Sequence, residues 1–412
     1  MQTRLADFIR DTPDGREAEE ILRKCVHCGF CTATCPTYQL FGDELDGPRG
    51  RIYLIKQMLE SGEAGAKTRL HLDRCLTCRA CETTCPSGVH YSRLLDIGRG
   101  VVERKAPRSG ADALVRSTLK HFLPRPGLFN PALKLGQWVR PLLPAALRAK
   151  VPAAQAPGAW PAPRHARRMV VLAGCVQPAM RPNINAAAAR VLDRLGISLV
   201  VAGTAGCCGA LRFHLDDVAA ARADARRNID AWWPLLEDAC EAIVMTASGC
   251  GVHVRDYAHL LRDDERYAVK AARIALLTRD VSEIVAAEDA ALMPLLAAAN
   301  AHRERTKLAF HSPCTLQHGQ QIRGVVERLL AAAFDLVPVA DSHLCCGSAG
   351  TYSILQALIA TRLRDAKLAA LGSGQPLAIA SANIGCITHL QSGTQLPVRH
   401  WIEFIDERLN TT

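Results

Sequence analysis

Cys25-Val-His-Cys28-Gly-Phe-Cys31-Thr-Ala-Thr-Cys35-Pro36 is repeated fifty residues on as Cys75-Leu-Thr-Cys78-Arg-Ala-Cys81-Glu-Thr-Thr-Cys85-Pro86. Both stretches read C-x2-C-x2-C-x3-C-P. In that spacing a short loop wraps three thiolates around one iron–sulfur cluster and sends its fourth to the neighbouring cluster. Two copies therefore predict two 4Fe-4S clusters with crossed ligands: Cys25, Cys28, Cys31 and Cys85 around one, and Cys75, Cys78, Cys81 and Cys35 around the other. The proline behind each fourth cysteine turns the chain away, since its ring fixes φ and it offers no backbone donor. A pair of zinc knuckles is the competing reading, because C-x2-C pairs also bind zinc tetrahedrally. Four cysteines crowded into eleven residues, twice, each time with Pro behind, favour the clusters.

Working outward, Asp14-Gly-Arg-Glu-Ala-Glu-Glu-Ile-Leu-Arg carries helix formers into the first loop. Between the loops, Gly47-Pro48-Arg49-Gly50-Arg51 leads into Ile52-Tyr-Leu-Ile-Lys-Gln-Met-Leu-Glu60, whose apolar positions suit one buried helix face. Helix between the cluster loops points to an α-helical ferredoxin domain over 1–105, not the compact β-containing kind. Arg49 and Arg51 stand either to offset the negative charge of a thiolate-bound cluster or in solvent at a helix start. His27 and Arg79, inside the loops, are read as outer hydrogen-bond donors, because the cysteines already satisfy both clusters.

At 412 residues the chain exceeds one ordinary core, and its 49% apolar and 22% charged residues are a globular composition. The start, Met1-Gln-Thr-Arg-Leu-Ala-Asp-Phe, has no apolar signal core, so the seventeen cysteines are expected to serve metals in a reducing cytoplasm. No run of eighteen apolar residues argues for a transmembrane helix. A formal charge of +10 is compatible with nucleic acid, an acidic partner subunit or an anionic membrane surface. No nucleic-acid module accompanies it, so the last two are expected, with peripheral attachment at the cytoplasmic face of the membrane. Over 106–165, Pro124, Pro126, Pro131, Pro141, Pro144, Pro152, Pro157, Pro161 and Pro163 punctuate apolar and basic runs. This segment reads as a linker of short helices or extended turns. Its Trp, Phe, Leu, Lys and Arg fit an interfacial membrane segment, or packing against a partner or the ferredoxin domain.

Beyond 165 the pattern becomes α/β. Met169-Val-Val-Leu-Ala-Gly174 and Leu199-Val-Val-Ala-Gly203 are short apolar runs ended by glycine, with a helical stretch, 185–195, between them. The pattern then restarts: Cys314 lies 139 residues after Cys175, Cys345 lies 138 after Cys207, and Cys386 lies 136 after Cys250. Two α/β repeats, 166–300 and 301–412, are expected to face each other across a pseudo-twofold axis. Their cysteines fall beyond the carboxyl ends of strands, where open parallel sheets collect ligands.

Each repeat offers four thiols, Cys175, Cys207, Cys208 and Cys250 in the first, Cys314, Cys345, Cys346 and Cys386 in the second. The third element reads Cys250-Gly-Val-His253 and Cys386-Ile-Thr-His389, so His253 or His389 is placed to ligate or hydrogen-bond a metal. These residues are candidates for a further iron–sulfur or zinc centre. The competing reading makes them small core residues beside glycine turns. Cys240, without a counterpart, is read as an ordinary buried residue at a helix end.

The adjacent Cys-Cys-Gly resembles the cysteine-rich CCG domain of the heterodisulfide reductases and their relatives, whose third element is commonly C-x2-C. Here both copies lack that fifth cysteine. The order of a two-cluster ferredoxin, a basic proline-rich connector and a doubled CCG domain resembles the iron–sulfur subunits that accept electrons from a flavoprotein dehydrogenase. That family includes glycolate oxidase, anaerobic glycerol-3-phosphate dehydrogenase and lactate-utilisation members. Gln177-Pro-Ala-Met-Arg-Pro-Asn-Ile-Asn-Ala, Arg227-Asn-Ile-Asp-Ala-Trp-Trp-Pro, Cys314-Thr-Leu-Gln-His and Asp341-Ser-His-Leu-Cys-Cys-Gly-Ser-Ala-Gly-Thr-Tyr are most similar to the glycolate oxidase branch. The resemblance implies a complex with two FAD-binding subunits that oxidise glycolate to glyoxylate, this chain passing electrons towards a membrane quinone. No G-x-G-x-x-G fingerprint is present, so FAD is expected on the partners only. An iron–sulfur component of a lactate or glycerol-3-phosphate dehydrogenase, a thiol–disulfide reductase of the heterodisulfide type, and a non-catalytic zinc scaffold are the alternatives.

Overall fold

The three longest helices of the N-terminal domain carry most of its apolar core, and the first two begin on proline. The computed structural model describes residues 1–412 except 145–147, 149–150, 302 and 411–412. Helix α1 (Pro13–Lys24) has Pro13 in its first turn and Thr12 accepting from the Gly15 amide, and it buries Ala18, Ile21 and Leu22. Helix α2 (Pro48–Ser61) also starts on proline, buries Ile52, Ile55, Met58 and Leu59, and stops at Gly62 with φ 74°. Helix α3 (Tyr91–Lys105) buries Leu94, Leu95, Val101 and Val102. At Gly98 a Cβ would lie 2.8 Å from Ile55 Cγ1, so the missing side chain lets α3 close on α2. The two cysteine loops leave this helical core side by side, and their short turns, Phe30–Ala33 and Ala80–Thr83, pack on each other.

Two helices of 13 and 14 residues follow, α4 (Gly110–Phe122) and α5 (Pro126–Val139). Neither contains a buried residue. They are joined by an edge-on contact of Phe122 with Phe129, and the start of α4 is tied to the first domain by Arg108, which reaches Asp73 at 2.7 Å and Glu103 at 2.8 Å. Pro131 lies inside α5, at the loss of one helical hydrogen bond. The stretch 145–147 and 149–150 of the proline-rich segment lies outside the described residues.

The remainder is two four-stranded parallel sheets. Strands β1 (Arg167–Val171), β2 (Ile197–Val201), β3 (Cys240–Met245) and β4 (Thr278–Asp280) lie in the order β2-β1-β3-β4. Strands β5 (Lys307–His311), β6 (Asp335–Leu336), β7 (Ala378–Ser381) and β8 (Val398–His400) repeat it as β6-β5-β7-β8. The same order twice is the duplication written in strand pairing. Cys240 opens β3 and is buried there, not at a helix end. Val244, Leu292, Phe310, Ile379 and Trp401 belong to one apolar core that runs through both halves. Polar ties cross the seam as well: the Ser248 amide donates to Ala382 O at 3.1 Å, and Arg190 pairs with Asp406 at 2.6 Å.

The N-terminal domain is seated on that seam. Arg79 and Arg93 both donate to Asp256 of the first half, at 2.7 and 2.8 Å, while Glu17 meets His259 and Arg262. On the other side, Thr83 Oγ1 meets His318 Nδ1 at 2.9 Å and Tyr352 OH donates to Arg74 O at 3.0 Å. Among the described residues no helix is long and apolar enough to cross a membrane.

Candidate iron–sulfur and thiol centres

The two loops line two adjoining cavities. Cys35, Cys75, Cys78 and Cys81 line the first, with Thr37, Arg51 and Tyr91. Cys25, Cys28, Cys31 and Cys85 line the second, with His27 and Arg49, and Cys81 and Tyr91 form a wall common to both. Each loop thus brings three of its cysteines to one cavity and its fourth to the other. Matching donor sets suit two groups of the same kind.

Backbone geometry repeats between the loops. His27 and Gly29 have φ of 56° and 86°; Thr77 and Arg79, at the same two places, have 52° and 60°. Left-handed backbone at a β-branched residue such as Thr77 is costly and persists where surrounding structure imposes it. Turns of this kind aim backbone N–H groups into a concavity that favours negative charge. A cluster held by four thiolates is such an occupant.

Burial raises the proton affinity of these thiols. It pushes Cys25 above the ordinary thiol range, Cys31 up to about 11, and Cys78 and Cys81 well above it. Bare thiols so placed keep their protons, whereas coordination to metal removes them. Compensating charge is close by. Arg51 is fully buried beside the first cavity and donates to His71 O at 2.7 Å, to Thr37 Oγ1 at 3.2 Å and to Asp46 Oδ1 at 3.4 Å. Asp46 also accepts from Arg74 at 2.7 Å and meets His71 Nδ1 at 3.0 Å. Arg51 is therefore no solvated helix start. Arg49, half-buried beside the second cavity, is fixed by Glu44 at 2.6 Å and reaches His27 O at 3.4 Å. His27 Nε2 is buried without a hydrogen-bond partner, in keeping with an outer donor. Arg79 instead carries its guanidinium across to Asp256.

The two cavities differ in access. Cys28 is exposed and flanked by Val26 and Phe30, 68% and 63% exposed, whereas Cys75 and Cys81 are buried.

In the first repeat Cys207 interacts with Cys175 and with Cys208, and Cys208 with Cys250. Cys250 sits in α6 (Ser248–Arg255), directly after β3. His253, on the same helix, is pressed between Phe213 and Tyr257 with Nε2 unpartnered, and burial lowers its pKa to about 4. In the second repeat Cys314 Sγ lies 3.8 Å from Cys345 Sγ, and Cys346 interacts with Cys345 and Cys386. Cys386 sits in α7 (Ile384–Gln391). The Gly209 and Gly347 amides each donate to the first Cys of their pair at 3.4 Å, so the two Cys-Cys-Gly turns share one geometry. The second set adjoins the ferredoxin loop: Cys314, Cys345 and Tyr352 pack with Leu76 and Cys78.

His389, a ligand candidate by its C-x-x-H spacing, is committed elsewhere, its Nε2 meeting Ala360 O at 3.1 Å. The imidazole at the second thiol set is His311, which motif reading missed. Aligning the two repeats had the means to find it, because the first has buried Leu172 where the second has His311.

Residues 21–89 match the 4Fe-4S dicluster domain family, and residues 169–255 and 308–391 each match the cysteine-rich CCG domain. The chain is 53% identical over 412 residues to the glycolate oxidase iron-sulfur subunit of Escherichia coli strain K12, covering 99% of each protein. It is 29% identical over 415 residues to the probable glycolate oxidase iron-sulfur subunit of Bacillus subtilis strain 168, covering 92% of this chain and 90% of that one. Lactate utilization protein A of Bacillus velezensis is 25% identical over 248 residues, 57% of this chain and 97% of its own length.

Proposed function

Because this chain belongs to the family of glycolate oxidase iron-sulfur subunits, we propose that it takes electrons from two FAD-binding partner subunits, where glycolate becomes glyoxylate, and delivers them to membrane quinone. Its own part is electron transfer, and the carbon chemistry lies on the partners. Cys25, Cys28, Cys31 and Cys85 hold one 4Fe-4S cluster in this reading, and Cys75, Cys78, Cys81 and Cys35 the other. Bound there, the clusters supply reversible one-electron transfer between flavin and quinone. The carrying observation is the pair of adjoining cavities, each lined by three cysteines of one loop and one of the other.

The chain's residues set direction and environment. The exposed rim of Val26, Cys28 and Phe30 is where a flavoprotein docks, and the interior site lies behind the wall of Cys81 and Tyr91. Arg49 and Arg51 place positive charge at the two cavities and favour the reduced state. Tyr91 OH donates to Cys75 Sγ at 3.7 Å, which acts in the same sense. Anaerobically purified protein tests the reading: it should be brown, contain acid-labile sulfide and give an EPR signal on reduction. Protein without labile sulfide rejects it. Copurifying the flavoproteins and assaying glycolate, lactate and glycerol-3-phosphate side by side then fixes the substrate.

The docking rim makes a separate expectation. Phe30→Asp should lower the rate of electron transfer from the flavoprotein about tenfold, as losing one aromatic anchor of an interface does. Iron and sulfide content should stay at the parent level, and equal rates would remove this rim from the contact.

Membrane contact falls to α4, α5 and the turn behind them. From Ala113 to Leu142 the sequence carries five Lys and Arg and no Asp or Glu. Leu114, Leu135, Trp138 and Leu142 are 61 to 85% exposed on the same segment. Basic charge interleaved with exposed Trp and Leu suits the interface of an anionic bilayer. The double substitution Trp138→Glu, Leu142→Glu is expected to cut cosedimentation with phosphatidylglycerol-containing vesicles at least about tenfold, since each apolar side chain contributes roughly 1.5–3 kcal/mol on burial. Binding that is insensitive to both changes would reassign the surface.

A further inference from the structure

Arg99 lies on α3, and one of its terminal nitrogens, Nη2, donates to Leu72 O at 2.9 Å and to Cys75 O at 2.8 Å. Leu72 is in the last turn of the helix Ala66–Asp73, and Cys75 opens the second cysteine loop at the interior cavity. A cation on the last carbonyls of a helix meets the negative end of its dipole. The first loop repeats the arrangement with a different group. There the Met1 ammonium donates to Leu22 O at 3.3 Å and to Cys25 O at 3.2 Å, the same two places fifty residues earlier. Each loop is thus entered beside a positive charge held on the same pair of carbonyls.

The two cations are not equivalent. The Met1 ammonium also donates to Arg23 O at the exposed surface, where solvent screens it. Arg99 is half-buried with its Nε fully enclosed, and among the described residues it enters no ion pair, Asp96 on the same helix included. The other arginines at the clusters are neutralised in full or in part: Arg49 by Glu44, and Arg51 together with Arg74 by Asp46.

That difference bears on the direction of electron flow. Reduction adds negative charge, and the interior cavity is lined by the buried Cys35, Cys75 and Cys81, whereas Cys28 of the other cavity is exposed. Enclosure alone disfavours the more negative state, so a step inward to the interior cluster would run uphill. An unneutralised guanidinium directly behind Cys75 opposes that penalty.

We propose that Arg99 is a positioning residue for electron transfer: it fixes the entry to the second loop and, by its unneutralised charge, raises the potential of the interior cluster enough for electrons to pass inward from the exposed one. This role rests on the electron-transfer reading.

The test is a potentiometric titration of the full chain, purified anaerobically with both clusters in place and followed by EPR. Cys78→Ser, which removes the interior cluster, assigns the two signals. In the parent the interior cluster should titrate at or above the exposed one. Arg99→Gln should make reduction of the interior cluster about tenfold less favourable, ~59 mV for a one-electron couple. That is the order of effect of one unit charge acting across roughly 10 Å at an effective dielectric of about 20. The exposed cluster's midpoint should not move, and iron and sulfide should stay at the parent level. Arg99→Lys, which keeps the charge and gives up the planar fork, should recover most of the lost potential. An interior cluster that titrates clearly below the exposed one in the parent overturns the proposal without any variant. So does an unmoved midpoint in Arg99→Gln, or a fall as large in Arg99→Lys as in Arg99→Gln, since the effect would then be one of loop geometry and not of charge. Should Arg99→Gln lose the interior cluster, the parent ordering and Arg99→Lys still decide. Parent protein without labile sulfide rejects the electron-transfer reading and this role with it, whereas loaded protein with the wrong ordering or unmoved midpoints rejects this role alone.

Discussion

Cys78→Ser should reduce glycolate-dependent dye reduction by the reconstituted complex to background, while the flavoprotein subunits go on binding glycolate. Cys78 lines the interior cavity with Cys35, Cys75 and Cys81, and it packs against Leu76, Cys314 and Cys345. A serine oxygen there is a harder, more basic donor whose proton is not surrendered to iron as a thiol proton is. The two kinds of loss are separable. Flavin bleaching by glycolate in the partner subunits should proceed at the parent rate, and only the onward step should fail. Iron and sulfide should fall by about half, as expected when one of two equal clusters is missing. Cys28→Ser, at the exposed loop, should give the same block at the other cluster. Unchanged turnover in both variants would exclude transfer through these cysteines.

The second large effect is on stability. Asp46 is 1% exposed, accepts from Arg51 and Arg74, and meets His71, so three basic side chains converge on this buried carboxylate. Its backbone oxygen also accepts from Thr37 Oγ1 at 2.7 Å, beside Cys35. Asp46→Ala leaves Arg51 buried without its carboxylate, and breaking a buried pair from one side costs about 3–5 kcal/mol. The loss should appear as an earlier midpoint in urea, followed by cluster absorbance, with iron retention falling in parallel. Replacing both partners, Asp46→Leu with Arg51→Met, should recover most of it, because an apolar pair of similar volume carries no unpaired charge. A shift smaller than about 1 kcal/mol for Asp46→Ala would mean the network is not what holds the loops.

Legibility in the sequence followed the range of the interaction. The eight loop cysteines could be grouped from sequence because their spacing is local, and the two cavities gather them in the same two sets. The duplication was readable because three cysteine motifs recur at nearly constant offset, and the identical strand orders bear this out. Arg51 stayed ambiguous, since only the packing of α2 against the loops decides whether a helix-start arginine faces water. His389 misled for a similar reason. Three residues after Cys386 it shares a helix face with it, yet the helix Ala357–Gly372 offers it the Ala360 carbonyl. His311 and Ser381 are 70 residues apart and meet only through the β5–β7 pairing, which no local pattern contains. The linker helices form despite ten prolines over 106–165 because Pro126 stands in a first turn and Pro131 is tolerated on an exposed helix.

The position of the N-terminal domain has a mechanical consequence. Paired α/β lobes commonly work as a clamshell, with a cleft that opens and shuts. Here that freedom is forfeited: any swing of one lobe away from the other would have to tear Arg79 and Arg93 from Asp256, or Thr83 from His318, and split a continuous apolar interior. The body is braced like a truss, and its internal spacings stay constant from one turnover to the next. Gating in such an assembly belongs to the joints with other subunits, where a carrier docks and leaves.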